Sequence, residues 1–127
     1  MKNIQVLKPK YRVEECLSEI KECLDIGWTG MGYKTIEFED RWKTYTSLNH
    51  AHFLSSATVG LHLAVKILKE KYNWHDGDEV ITTPFTFVST NHSILYENLK
   101  PCFADIDDSL NLDPQSVKDK INKGTKA

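Results

Sequence analysis

Arginine is nearly missing from this chain: only Arg12 and Arg41 occur among its 127 residues. Without a set of forked guanidinium groups, bidentate reading of phosphates has little to work with. A basic stripe is missing as well, because the lysines are spread along the chain and the formal net charge is -2. That argues against a nucleic-acid or membrane-surface partner, whose footprint is a clustered positive patch. No apolar run is long enough to span a bilayer, and the opening MKNIQVLKPK has no apolar signal-peptide core. The expected location is the cytoplasm.

Cysteine is sparse and odd in number: Cys16, Cys23 and Cys102, with no CxxC pair. The first two fall on one face of an expected helix and read as small buried hydrophobes in a reducing compartment. His52, His62, His75 and His92 have no metal-ligand spacing with one another or with the cysteines. GxGxxG, GxxxxGK[ST] and the nucleophile elbow are all missing, which leaves dinucleotide, P-loop and hydrolase-triad readings without support.

What is present is an ordinary globular composition, 40% hydrophobic and 27% charged, at the length of one domain. In VEECLSEIKECLD (13–25), Val13, Cys16, Leu17, Ile20, Cys23 and Leu24 recur at amphipathic-helix spacing. Gly27, Gly30 and Gly32 then break the pattern in a loop that carries Trp28. A second helix is expected from about Thr35 to Tyr45, stacking Phe38, Trp42 and Tyr45 on one side. From Ala51 the rhythm alternates. A short apolar run (51–55) precedes a helix with Leu61, Ala64, Val65, Leu68 and Tyr72 on one face. The β-branched EVITT (79–83) reads as a strand, 87–97 as a helix and CFADI (102–106) as a further strand. Asp113-Pro114 has the form of a helix start, and Thr125–Ala127 of the lead-in to one more strand. Alternating strands and helices predict an α/β fold with a parallel sheet.

Two segments could carry chemistry. Ser55-Ser56-Ala57-Thr58 stands at an expected helix start, where free amides and the helix dipole favour an anion. The same residues could simply cap the helix. Pro84-Phe85-Thr86-Phe87 follows a strand, at the edge of the sheet where α/β ligands sit. Either phenylalanine could lie on a flat ring or pack in the core. Asp105 and Asp107 could hold a substrate hydroxyl or solvate a strand end.

Three stretches in order, GWTGMGYKTIEFEDRW (27–42), LSSATVGLHLAV (54–65) and GDEVITTPFTFVSTNHSILYENLKPCFADID (77–107), resemble the DegT/StrS-type family of pyridoxal-phosphate (PLP) nucleotide-sugar aminotransferases. The resemblance runs from about residue 10 to the last. It implies part of the large domain of a fold-type-I PLP-dependent transferase, an incomplete parallel sheet preceded by N-terminal helices. The implied division is 1–50, a helical segment with a Gly-rich substrate and dimer loop, and 51–127, the first βαβαβα part of the PLP-binding domain.

Residue by residue, Ser56, Ala57 and Thr58 match the segment that grips the PLP phosphate, and Phe87 the aromatic that stacks on the pyridine ring. Thr29 and Gly30 match a loop beside the substrate. Some members have Gly at the place of Ala57. The implied partners are a keto-sugar nucleotide, an amino donor such as glutamate, and a second copy or a complementing C-terminal piece. The family also has a cofactor-anchoring Lys and an Asp for the pyridinium nitrogen, and no residue here matches either. The expectation is therefore an N-terminal piece, inactive by itself and holding PLP weakly. Three alternatives stay open: a non-catalytic interaction module, a relative of the sugar dehydratases that carry His in place of that Lys, and a generic phosphate-binding domain.

Overall fold

The apolar stripe of residues 13–24 forms helix α1 (Val13–Ile26) in the computed structural model, which describes residues 7–28 and 30–127. Glu14 and Glu15 sit in its first turn, where negative charge complements the helix dipole. Gly27 ends it at φ 75°, a left-handed conformation that glycine adopts without a Cβ penalty. The Trp28 amide turns back to Cys23 O at 3.0 Å, which completes the C-terminal cap. Helix α2 (Tyr33–Thr46) carries the expected aromatic ladder. Phe38 and Trp42 stack with centroids 6.3 Å apart, Trp42 continues to Tyr45 at 5.8 Å, and Phe53 meets Phe38 edge-on at 5.6 Å. Lys34 pairs with Glu19 and Glu22, and the Tyr33 hydroxyl donates to Glu22 at 3.0 Å, so polar contacts join α1 to α2.

These elements make up one unit, Met1–Phe53, and Leu54–Ala127 makes up a second. In the first, the stripe of α1 stays open: Val13, Leu17, Ile20 and Leu24 are each more than half exposed. Cys16, expected to be buried, is exposed for the same reason, since no described element covers that face. All three cysteines are free thiols.

The second unit is built on a parallel pair, β1 (Glu79–Thr82) and β2 (Lys100–Phe103), in register from Glu79↔Lys100 to Thr82↔Phe103. Helix α3 (Ala57–Lys71) precedes β1, α4 (Val88–Tyr96) connects the two strands, and α5 (Pro114–Lys120) follows. Thr125 bridges Glu79 in parallel on the other side of β1, with Lys126 N–H to Glu79 O at 2.8 Å and Ile81 N–H to Ala127 O at 2.7 Å. The expected strand lead-in at 125–127 is thus paired.

The core of this unit is small: Ile94, Leu99 and Ala104 are buried, with Thr82, Ser89 and Ser93 beside them. Serine is tolerated inside because Ser93 Oγ donates to the carbonyls of Ser89 and Thr90 at 2.8 and 2.9 Å. Helix α3 packs against α4. His62 Nε2 and Glu97 Oε1 meet across that contact at 2.6 Å, and the His62 ring lies edge-on to Tyr96.

Two sequence expectations change. Residues 51–55 form no strand, because a strand needs a neighbour and none pairs with them among the described residues. The βαβαβα pattern thus loses its first strand. The strand expected over 102–106 lies at 100–103, where register with β1 is available, and Ile106 instead bridges Leu112 in a turn.

Candidate functional site

Connectivity decides where the helix starts lie. α3 ends at Lys71 and the chain returns through a short turn to β1, while α4 ends at Tyr96 and returns through Glu97–Leu99 to β2. Both helices therefore run antiparallel to two parallel strands. Their N-termini, at Ser56 and Phe87, share the carboxyl edge of the sheet, the edge at which open α/β sheets take ligands.

At the first of these, Ser56 is extended (φ -163°, ψ 160°), and its Oγ accepts the Val59 N–H at 3.3 Å. That bond satisfies one of the orphan amides of the helix start. The amides of Ala57 and Thr58 find no acceptor among the described residues. Ser56 and Ala57 are exposed and Thr58 is half-buried. Because Ser56 Oγ acts as acceptor in the cap, its own proton remains available to an incoming oxygen. The helix behind these amides is 15 residues long. Two free N–H groups, two hydroxyl donors and a helix dipole suit a phosphate dianion.

At the second, the turn from Thr83 to Phe87 is laced by its own side chains. Thr83 Oγ1 accepts the Phe85 N–H at 3.1 Å, and the Thr86 and Thr90 hydroxyls are 3.2 Å apart. Asn91, on α4, accepts from Thr82 Oγ1 at 2.8 Å and donates to Thr83 O at 3.2 Å. Phe87 leads into the helix at φ -65°, ψ 136°, and its ring is 76% exposed, so it is not core packing. Phe85 is 59% exposed. An exposed aromatic ring at a ligand edge offers a flat apolar face and pushes water off one side of a planar ligand.

The PLP group fits these residues at its phosphate and at one ring face. The donors at 56–58 match the first, and the open Phe87 ring matches the second.

Thr29 lies outside the described residues. Gly30 belongs to the first unit, where it lines a recess of about 360 Å³ with Glu19, Ile20, Cys23, Leu24, Trp28 and Lys34. The Trp28 indole closes its own loop by donating to Met31 O at 3.1 Å. Asp105 and Asp107 follow the strand-end reading. Asp107 Oδ1 accepts from the amide of Ser109 at 2.8 Å and from its hydroxyl, and these bonds hold its carboxyl below the usual carboxylate range. Asp105 accepts the Ile106 N–H at 2.8 Å. Among the described residues no cluster of His, Cys, Asp or Glu has the arrangement of a metal centre. No described helix is long and apolar enough to cross a membrane.

Asn91 was missed in the sequence reading. A single asparagine in a helix body carries no motif, and its only local sign is being a poor helix former in that place.

Known proteins share this fold. The spore coat polysaccharide biosynthesis protein SpsC of Bacillus subtilis is 37% identical over 115 residues, which is 90% of this chain and 28% of that protein. GDP-perosamine synthase of Vibrio cholerae is 38% identical over 110 residues, 85% of this chain and 29% of the synthase. Spr1654 of Streptococcus pneumoniae, assigned as a sugar aminotransferase and solved in its PLP form, superposes with a TM-score of 0.85 at 30% identity. That superposition covers 98% of this chain and 31% of Spr1654. The chain thus spans about 30% of the length of each relative. The model of the DegT/DnrJ/EryC1/StrS aminotransferase family matches residues 10–127, and the chain belongs to that family.

Proposed function

We propose that this chain forms the phosphate-gripping and ring-covering part of a PLP site, in a protein that transfers an amino group to a keto-sugar nucleotide. The observation that carries the reading is the shared edge. The open amides of Ala57 and Thr58 and the exposed ring of Phe87 stand at the starts of α3 and α4, two helices that pack on one another. Ser56, Ala57 and Thr58 hold the phosphate through N–H and O–H donors, and Phe87 covers one ring face and excludes water there. PLP, when bound, supplies the electron sink that amino-group transfer requires. Gly30 and Thr29 lie in the loop that meets the sugar nucleotide. GDP-perosamine synthase, by its name, makes a nucleotide-linked amino sugar, which supports this substrate class. Glutamate is the amino donor that suits such a transfer.

The open stripe of α1 favours association, with a second copy of the chain or with a complementing C-terminal piece as the partner. Light scattering on the purified chain reads this directly: a monomer at every concentration would count against it.

None of the lysines matches the cofactor-anchoring one of the family, so the chain by itself holds PLP weakly and without one preferred covalent site. An absorbance scan with added PLP, then borohydride reduction and intact mass, tests that statement. One stoichiometric adduct at one lysine would overturn it. Thr58→Ala weakens PLP by about tenfold, as loss of a hydrogen bond to a charged group does. Phe87→Ala weakens it about two- to tenfold. Unchanged affinity in both variants would sink the site.

A further inference from the structure

We infer that Asn91 is a positioning residue for the ring-covering side of the site, fixing the turn that presents Phe87. This rests on the reading proposed above.

The argument starts from the exposure of Phe87. A ring that is 76% exposed is not held by packing, so its direction is set by the backbone that carries it. That backbone is the turn 83–87, which the Asn91 carboxamide holds at its strand end. Oδ1 accepts a hydrogen bond from Thr82 Oγ1, on the last residue of β1, and Nδ2 donates to Thr83 O, on the first residue of the turn. The amide orientation follows from the partners. Flipping it would set Oδ1 against the Thr83 carbonyl oxygen, an acceptor against an acceptor. Thr82 is itself buried at 6% exposure, which anchors the bridge to the sheet rather than to a mobile surface group.

Asn91 stands one turn inside α4, and Thr90 N–H donates to Phe87 O at 3.0 Å. One helical turn therefore fixes both ends of the segment: the strand end through the Asn91 side chain, the helix end through the Thr90 amide. Fixing the segment before binding lowers the ordering cost when a planar ligand stacks on the ring.

The chemistry separates two roles that the same edge performs. The phosphate donors stand on α3 and share no hydrogen bond with this network, whereas the ring face depends on it. Substitution at Asn91 should thus weaken a ligand with a ring and spare one without.

The test is a titration of the ¹⁵N-labelled chain, followed by NMR, with two probes: PLP and inorganic phosphate. Asn91→Asp keeps the acceptor for Thr82 and sets a carboxylate oxygen against Thr83 O. Asn91→Ala removes both arms without adding charge, and keeps the question open to measurement should the aspartate variant unfold. The expected result is a two- to tenfold loss of PLP affinity, about that of removing an aromatic contact. Phosphate affinity stays unchanged, and Phe87→Ala with Asn91→Ala is no weaker than Phe87→Ala alone. Losses that add in the double variant, or phosphate binding that weakens in parallel, would overturn the inference in favour of a general folding role. Unchanged PLP affinity in the Asn91 variants while Phe87→Ala weakens it would overturn the inference and leave the site standing. No response to Phe87→Ala, or no PLP shifts at 56–58 and 87 in the unaltered chain, would remove both.

Discussion

Replacing Gly32 by alanine puts the geometry of the Gly-rich loop to a direct test. Gly32 precedes α2 with φ -154° and ψ -155°, an extended backbone open to any L residue, so the glycine is not needed for its conformation. It is needed for space: a Cβ built there would lie 2.1 Å from Trp28 Nε1 and 2.4 Å from Trp28 Cδ1. The indole must swing away by more than about 1 Å to reach ordinary contact distance, and its hydrogen bond to Met31 O breaks. Trp28 is 54% exposed, so roughly half of a tryptophan's burial, about 100 Å², is at stake. At about 25 cal/mol per Å² that is an upper bound of about 2.5 kcal/mol. The exposed indole N–H finds water instead, so the hydrogen bond adds little.

The expected loss is about 1–2.5 kcal/mol, or a fall in Tm of about 4–10 °C. Circular dichroism melts give the stability, and emission of Trp28 in a Trp42→Phe, Trp74→Phe background reports its move into water. Gly30→Ala is the control, since nothing among the described residues lies within 4 Å of a Cβ there. A Gly32→Ala chain that melts within a degree of the parent, with unshifted emission, would refute the placement of the indole.

Ser56→Ala removes the cap on the Val59 amide and should cost about 1 kcal/mol by denaturant titration, while Ser56→Gly costs only a few tenths. Asp113→Ala strips the acceptor from Gln115 N–H and Ser116 N–H, 3.0 and 3.2 Å away, and should cost about 1–2 kcal/mol; Asp113→Asn restores most of it. Stability should also fall on both limbs of pH. Lys100 and then Asn122 lower Glu79, Lys69 lowers Asp76, and Lys34 and then Tyr33 lower Glu22. Their contribution is full above the unfolded carboxylate values near pH ~4 and is lost as pH falls through the lower folded ones. On the alkaline side, partial removal from water and then the hydrogen bond to Glu22 raise Tyr33 to about 12. That contribution is full below the unfolded value near ~10 and is lost as pH rises through the folded one. Thermal melts from pH 2.5 to 12 check both limbs, and Tyr33→Phe should flatten the alkaline one.

The helices were legible because their signals are local. The stripe in α1, the αL glycine at 27, the aromatic ladder of α2 and the Asp113-Pro114 start each depend on residues within a turn or two of one another. The strands were legible in kind but not in extent. Whether a β-branched run is a strand depends on what lies beside it, so β2 moved to 100–103 and 51–55 lost its strand. The candidate residues at 56–58 and 87 came from motif and resemblance, and only the folded chain showed that Phe87 is exposed rather than packed in the core.

The sequence by itself determined which residue types stand at each helix start and that the sheet would be parallel, since periodicity and capping act over short distances. Only the tertiary structure decided that the starts of α3 and α4 share one edge. Only it brought Asn91 to both Thr82 and Thr83, and it left the apolar face of α1 open. Those outcomes depend on pairing and packing between segments far apart in the chain, and no local pattern encodes which neighbour a face will meet.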